Sequence, residues 1–424
     1  MLDLLRNQKK DIRIAIVGIG SMGKGLFYQS RRTPGIEAVA VADVRIKRAV
    51  SCAEWLGRDY SLVRTPGQMS DAIRQGKVAV CEDGALAAEC EDVDVFVEAS
   101  NSIIPALAFS VTALKSRKHL VLMNAEIDLH FGPYLLRLAR ENGVIYTSCD
   151  GDQHGAIKHL IDDLRLWGFD LVMAGNIKGY LDRYSNPTAI VPEADLRNLD
   201  YKMAVSYTDG SKLSFEMALV ANGLGLSTLV PGMHGPRAGR VNEVLRLFDF
   251  DALWKDRRPF VDYILGAEPG GGVFAVGHCD NEYQKSMLQY YKMGCGPYYL
   301  FYRPYHLCHV EAMACIADAA LNHRPLLQPD HGFRTNVYAY AKRDLRRGEI
   351  LDGIGGYLTY GLIENCAGNE SNPGLPLGLA EGVPLGRDIR RDGKIHLSDV
   401  HYDPARPDFA AHFKAVDISR EGGR

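Results

Sequence analysis

DIRIAIVGIGSMGKGLFYQSRRTPGIEAVAVAD, residues 11–43, opens on an apolar run, Ile12 to Val17, that reads as a buried strand. The run breaks into Gly18-Ile19-Gly20-Ser21-Met22-Gly23, a G-x-G-x-x-G sequence set between strand and helix. There the first glycine permits the tight turn and the second lets the backbone approach a pyrophosphate. The third lets helix and strand pack closely. The helix then aims its free N–H groups and positive dipole end at the phosphates. A second apolar strand, Glu37 to Ala42, ends on Asp43, twenty residues after Gly23. A carboxylate there accepts hydrogen bonds from ribose hydroxyls and repels a 2′-phosphate, so NAD is the expected cofactor. Arg45 and Lys47 close behind keep NADP open. A bland tight turn is the competing reading of the glycines, and the flanking strands and helix argue against it.

The chain has 424 residues, too many for one ordinary core, so two or three domains are expected. It is 46% hydrophobic and 24% charged with net charge −3, a balance that points to neither nucleic acid nor an anionic membrane. No apolar run approaches a membrane span, and MLDLLRNQKKD lacks the core and cleavage site of a signal peptide. Nine cysteines form no C-x-x-C pair, which fits a reducing, cytoplasmic setting.

Residues 1–154 keep alternating strand and helix. Lys77 to Cys81, Val93 to Ala99, His119 to Met123 and Val144 to Thr147 read as strands. Helices follow over Ile103 to Leu114 and Pro133 to Glu141, the second stopped by Gly143. This order predicts a parallel, doubly wound Rossmann domain whose ligand lies beyond the carboxyl ends of the strands. By that rule Ser100, Asn101 and Asn124 join Gly18, Gly20, Ser21, Met22, Gly23 and Asp43 as cofactor candidates. Glu126, Asp150 and Asp152 fall on the same edge.

An amphipathic helix around Ile157 to Trp167 is entered through Asp152-Gln153-His154-Gly155, where Asp152 is either a simple cap or a functional carboxylate. Residues 155–334 then read as an α+β substrate and oligomerisation domain. Asp209-Gly210 predicts a hairpin turn between strands Tyr201–Thr208 and Ser211–Val220. That hairpin would put Lys212, Ser214 and Glu216 on one polar face, a solvated face more readily than a cleft wall. The loop PGMHGPRAGR at 231–240 offers His234 and Arg237 to a phosphate or is simply basic. The tyrosine-rich run from Tyr298 to Tyr305 reads as a core strand. Residues 335–424 read as a small β-rich domain, with short strands at Val337–Ala341, Arg347–Leu351 and Lys394–Leu397.

LVLMNAEIDLHFGPYL at 120–135, DGD at 150–152, DGSKLSFEMALVANGLGL at 209–226, GMHGPR at 232–237 and KMGCGPYYLFYRPYHL at 292–307 carry a family likeness. AKRDLRRGEILDGIGGY at 341–357 and LPLGLAEGVPLGRDI at 375–389 continue it. The chain resembles the predicted homoserine dehydrogenase group with a C-terminal SAF domain of β-clip type, which includes deoxyxylulose-phosphate reductoisomerase-like enzymes. The likeness implies a nicotinamide-dependent oxidoreductase. Lys178, in Asn176-Ile177-Lys178-Gly179, is the nearest match by context to the catalytic lysine of homoserine dehydrogenases. Asp43 stands where reductoisomerase-like members would carry a basic, NADP-accepting sequence. GDQHGAIKHL at 151–160 and NIKGYLDRYSNPT at 176–188 look more like a sister branch serving sugar or polyol substrates.

Oxidising an alcohol onto nicotinamide requires a group that takes the hydroxyl proton. Lys178 is the first candidate, since burial lowers a lysine's pKa, and an ordinary exposed lysine is the alternative. His154 is the second. Glu126 and Asp152 would orient hydroxyls or tune the base, and Lys212, Glu216, Asn222, His234 and Arg237 would bind substrate. No metal site is assigned. His306-x-x-His309 with Cys308 and Glu311 has zinc-ligand types, but core or cap histidines suit its aromatic setting better. An isomerising reductase would instead gather Asp150, Asp152 and Glu126 around Mg²⁺ or Mn²⁺.

The reading is a hydride-transferring enzyme for a small hydroxylated, sugar-, polyol- or sugar-phosphate-like substrate, acting as a homo-oligomer. Reductoisomerisation of deoxyxylulose 5-phosphate, homoserine oxidation and a non-catalytic NAD-bound sensor or scaffold are the alternatives.

Overall fold

The computed structural model describes residues 1–196, 199–366 and 370–422. Seven strands form the first sheet: β1 (Ile12–Val17), β2 (Ile36–Ala42), β3 (Tyr60–Leu62), β4 (Val78–Cys81), β5 (Val95–Glu98), β6 (His119–Leu122) and β7 (Tyr146–Ser148). They lie in the order β3-β4-β2-β1-β5-β6-β7, every pairing parallel. Chain direction across the sheet reverses between β1 and β5, the crevice where such folds place a ligand. The sheet is apolar on both faces. Ala15 and Val17 enter one core cluster while Ile12, Ile14 and Ile16 enter another, as a helix-covered parallel sheet requires.

The second sheet is mixed. Its strands are β8 (Asp170–Lys178), β9 (Ser227–Thr228), β10 (Phe260–Leu265), β11 (Val273–His278) and β12 (Tyr298–Arg303), in the order β12-β11-β8-β10-β9. The Tyr298 run is thus a strand, although only Tyr299 is fully buried and Tyr302 is exposed. No helix among the described residues is long and apolar enough to cross a membrane.

The expected hairpin at Asp209-Gly210 is absent. Helix Tyr201–Asp209 ends there, and helix Ser211–Leu224 begins at once. Gly210 has φ +87°, the left-handed geometry that closes a helix as readily as it turns a hairpin. All fourteen residues of Ser211–Leu224 are buried, so this helix has no solvated polar face. An element buried all round carries no period that separates helix from strand. It packs on helices Ala125–Asn142 and Gln153–Leu166 and on the hairpin of β13 (Thr335–Ala341) and β14 (Thr359–Asn365).

Outside β13 and β14 the third segment holds isolated bridges rather than the strands expected at Arg347–Leu351 and Lys394–Leu397. It closes on helix Pro407–Gly422, which lies against helix Ala125–Asn142. There the His412 ring bonds the His130 carbonyl at 2.9 Å. Helix Cys308–Asn322 also returns to the first sheet, placing Ala312, Met313 and Ile316 in the cluster of Ile14 and Ile16.

Candidate active site

The glycine loop has the shape its sequence implies. Gly18 has φ +90°, and a Cβ there would stand 2.5 Å from the Ser100 nitrogen. A Cβ on Gly23 would stand 1.9 Å from the Gly18 carbonyl oxygen, so helix Ser21–Arg32 can begin this close to β1 only with glycine. At Gly20 a Cβ would meet nothing within 4 Å, which leaves an open approach at the helix N-cap. Asp43 is buried at the end of β2. One of its carboxylate oxygens accepts from the Ile19 N–H at 2.8 Å and the other from the Arg45 N–H at 2.7 Å. Asp43 therefore braces the loop as well as facing it, with lone pairs left for a further donor. Ser21 and Asn101 are exposed, and Met22 packs against the apolar cluster beneath. Asn124 caps helix Ala125–Asn142 by accepting from the Ile127 N–H at 3.2 Å, and its amide donates to the Ser102 carbonyl at 2.9 Å. These residues fit a dinucleotide: a glycine-stripped helix N-terminus, an open backbone approach and a carboxylate at the second strand end.

A carboxylate that sequence reasoning did not single out adjoins this loop. Glu98, the last residue of β5, pairs in register with Val17 and is fully buried. One of its oxygens accepts from the Ser100 N–H at 3.0 Å, and the other has no partner among the described residues. Burial pushes its pKa up to about 8, against the hydrogen bonds from Ser100. The signal was its place at a strand's carboxyl end.

Beyond the strand ends the two lobes bring their charges together. Glu126 lies in the first turn of helix Ala125–Asn142, and Asp152 caps helix Gln153–Leu166. Lys212 and Glu216 stand one turn apart on the buried helix Ser211–Leu224. The Lys212 Nζ is 3.5 Å from Glu126 Oε1 and 4.0 Å from Asp152 Oδ2, and all three side chains are buried. Burial opposes the Lys212 charge, but Glu126, Asp152 and Glu216 outweigh it and hold its pKa above the ordinary lysine range. Burial alone would raise Asp152, yet Lys212, His154 and His306 bring it down to about 2. Glu216 is pushed well up by burial and by Asp152, and one of its oxygens has no partner among the described residues.

Lys178, at the end of β8, donates to the Tyr207 carbonyl at 2.6 Å. Burial lowers its pKa, with Glu216 and Asp209 opposing. His154 is buried with both ring nitrogens unpartnered among the described residues, and burial lowers its pKa too. Lys178, Lys212, Glu126, Asp152, Glu216 and His154 thus interact electrostatically as one group, and Tyr207 joins them. Two lysines in one set of carboxylates are displaced in opposite directions. Burial dominates at Lys178, and the surrounding carboxylates dominate at Lys212.

Other expected contributors lie elsewhere. Asn222 serves the fold. Its oxygen accepts from the Arg334 and Thr335 N–H groups at 2.9 and 2.8 Å, and its amide donates to the Thr335 carbonyl. This fully buried amide is held at both its oxygen and its nitrogen by the 334–335 backbone. His234 is fixed by Asp262, ring to carboxylate at 2.9 Å, with its backbone N–H on the same group. Arg237 is exposed, and its backbone pairs with Leu265, whose other neighbour in the sheet is Lys178. Asp150 accepts from the Gly151 N–H and contacts the His159 ring at 2.8 Å. The set His306, Cys308, His309 and Glu311 divides: the Glu311 carboxylate pairs with Arg303 at 2.9 Å, and the His309 ring lies against Gly25. His306 and Cys308 turn instead toward Asp152.

Residues 151–312 match the family model described as "Oxidoreductase DRL, catalytic domain". The matched segment holds Asp152, His154, Lys178, Lys212, Glu216, His306 and Cys308. No curated protein matches the chain. Among solved structures, a homoserine dehydrogenase from Thiobacillus denitrificans is 14% identical over 91% of this chain and 98% of its own, with a TM-score of 0.46. The 1-deoxy-D-xylulose 5-phosphate reductoisomerase from Zymomonas mobilis in complex with NADPH is 16% identical over 49% of this chain and 57% of its own, at TM-score 0.34. A DOX-P reductoisomerase in complex with magnesium is 18% identical over 49% and 56%, at TM-score 0.35. The chain therefore spans little more than half the length of those reductoisomerases.

Proposed function

We propose that the chain is an NAD(P)-dependent oxidoreductase for a small, hydroxylated, sugar-, polyol- or sugar-phosphate-like substrate. The observation that carries this reading is the Lys178 and Lys212 group, set beyond the strand ends that also present the glycine loop. Gly18, Gly20, Gly23 and Asp43 would hold the dinucleotide, with Asp43 favouring NAD. The nicotinamide ring, when bound, supplies the hydride acceptor or donor.

The protein's own part is proton and charge handling. Lys178, whose pKa burial lowers, keeps one N–H on the Tyr207 carbonyl and in its deprotonated form turns its lone pair to a substrate hydroxyl, taking that proton as the carbon is oxidised. Lys212 stays charged and stabilises negative charge developing on the substrate oxygen. Glu126, Asp152 and Glu216 accept hydrogen bonds from neighbouring hydroxyls, a recognition suited to a polyol and not to an apolar alcohol. The exposed Arg237 offers a phosphate contact near the end of β8.

We further infer a C-terminal module of SAF type over 335–424, a homo-oligomer, and neither nucleic acid nor membrane as partner. Screening polyols, sugar acids, hydroxy acids and ketose phosphates with NAD and with NADP, following reduced-nicotinamide absorbance, tests the proposal. Turnover of one class supports it. Dinucleotide binding with no hydride transfer to any member would favour the sensor reading.

A further inference from the structure

Asp152 presents its two oxygens to different partners. Oδ2 faces the Lys212 ammonium, while Oδ1 lies 4.0 Å from His306 Nε2 and 3.9 Å from Cys308 Sγ. The three donor atoms all fall within 4.8 Å of one another. Four ligands bonded tetrahedrally at about 2.0–2.3 Å stand about 3.3–3.8 Å apart, so the set closes by modest side-chain shifts.

The surroundings orient His306 as a ligand. His306 Nδ1 lies 2.8 Å from the Gly271 carbonyl, so Nδ1 carries the proton and Nε2 presents its lone pair toward Asp152. That outer contact is what a metal-binding imidazole uses to fix its tautomer and orientation. Asp152 and Cys308 are 156 residues apart, and Gly151 brings them together. A Cβ at Gly151, where φ is +86°, would stand 2.2 Å from the Cys308 carbonyl oxygen. Asp152 is buried while His306 and Cys308 are half-buried, so one side of the set is open.

We propose that Asp152, His306 and Cys308 form a three-ligand site for a borderline-soft divalent cation of the zinc class, its fourth position open. One thiolate and one imidazole in three donors select Zn²⁺ or Co²⁺ over Mg²⁺, which prefers oxygen alone. Binding breaks the Cys308 S–H bond, forms the sulfur–metal bond and releases the proton to solvent, so affinity rises with pH. Three protein ligands and an open position are the catalytic and not the structural type of site. Resting on the oxidoreductase reading, the open position takes the substrate oxygen beside Lys212 and Lys178, where the ion would polarise it.

The test titrates the chelator-stripped full chain with Co²⁺ and Zn²⁺ by calorimetry and absorption. The expected result is one equivalent of Co²⁺, with a thiolate charge-transfer band and the strong visible bands of a tetrahedral ion, displaced by Zn²⁺ and not by Mg²⁺. Cys308→Ser removes the charge-transfer band, and His306→Ala weakens binding by at least about 100-fold. Cys295→Ser, at an exposed thiol elsewhere, changes neither. Retained NADH binding in each variant checks folding. The site is overturned if the wild-type chain binds no stoichiometric Co²⁺, or if both ligand variants bind as it does. Full hydride transfer in chelator would remove the ion from the reaction and leave the oxidoreductase reading intact. Metal binding without any hydride transfer would do the reverse.

Discussion

The Lys212 ammonium stands 3.5 Å from the Glu126 carboxylate, joining a helix of the second lobe to the first turn of a helix on the parallel sheet. Both are buried, and with Asp152 and Glu216 they make three carboxylates around one fixed cation. Replacing the cation leaves the carboxylates uncompensated. Lys212→Met should cost about 3–5 kcal/mol of stability at neutral pH, read by urea unfolding. Part of the loss should return as acid protonates the orphaned groups; an equal loss at pH 5 and pH 8 would mean that packing, not charge, was removed.

Lys178→Met should cut turnover by about 10²–10⁴-fold, the range for a lost general base, while NADH binding by fluorescence stays near wild type. Because burial lowers the Lys178 pKa, wild-type kcat/KM should climb with pH to a midpoint below that of an ordinary lysine. The variant should lack that limb. A retained limb would assign the proton to another group.

Asp43→Ala frees the Ile19 and Arg45 N–H groups and removes the ribose acceptor. Loss of a charged acceptor is worth about 1.5–3 kcal/mol, so NAD affinity should fall about 10- to 100-fold. NADP affinity should fall less, with no carboxylate left to repel a 2′-phosphate. An unchanged NAD-to-NADP ratio would show that Asp43 only braces the loop.

Glu98 gives a pH signature of its own. Its folded pKa, near 8, lies above the unfolded value near 4, so the unfolded chain releases this proton first. Its stabilisation is full below the unfolded value and declines as pH rises to the folded one, by about 1.4 kcal/mol per pH unit. Glu98→Gln should flatten stability between pH 5 and pH 8 in denaturant titrations. Parallel pH profiles for variant and wild type would contradict a neutral buried acid.

Local pattern sufficed wherever chain neighbours set the structure. The strand, glycine turn, helix and Asp43-ended strand appear where the residues place them, because turn geometry and alternating burial are properties of adjacent residues. The same rule put Asn124, Glu126 and Asp152 beyond strand ends. It failed at Ser211–Leu224, where total burial erased the periodicity and Gly210 served two geometries equally well. The roles of Lys212 and Glu216 changed with it, from a polar face to the buried charge of the candidate site.

What the amino-acid order determined by itself is therefore the run of strands and helices and the glycine turn between β1 and its helix, which rest on patterns among residues close in the chain. Only the folded structure decided that Lys212 would meet Glu126 across 86 residues, that Cys308 and His306 would turn to Asp152, and that Asn222 would be consumed by Thr335. Those encounters depend on how separate elements pack, and no short-range spacing encodes the distance between groups that packing alone brings together.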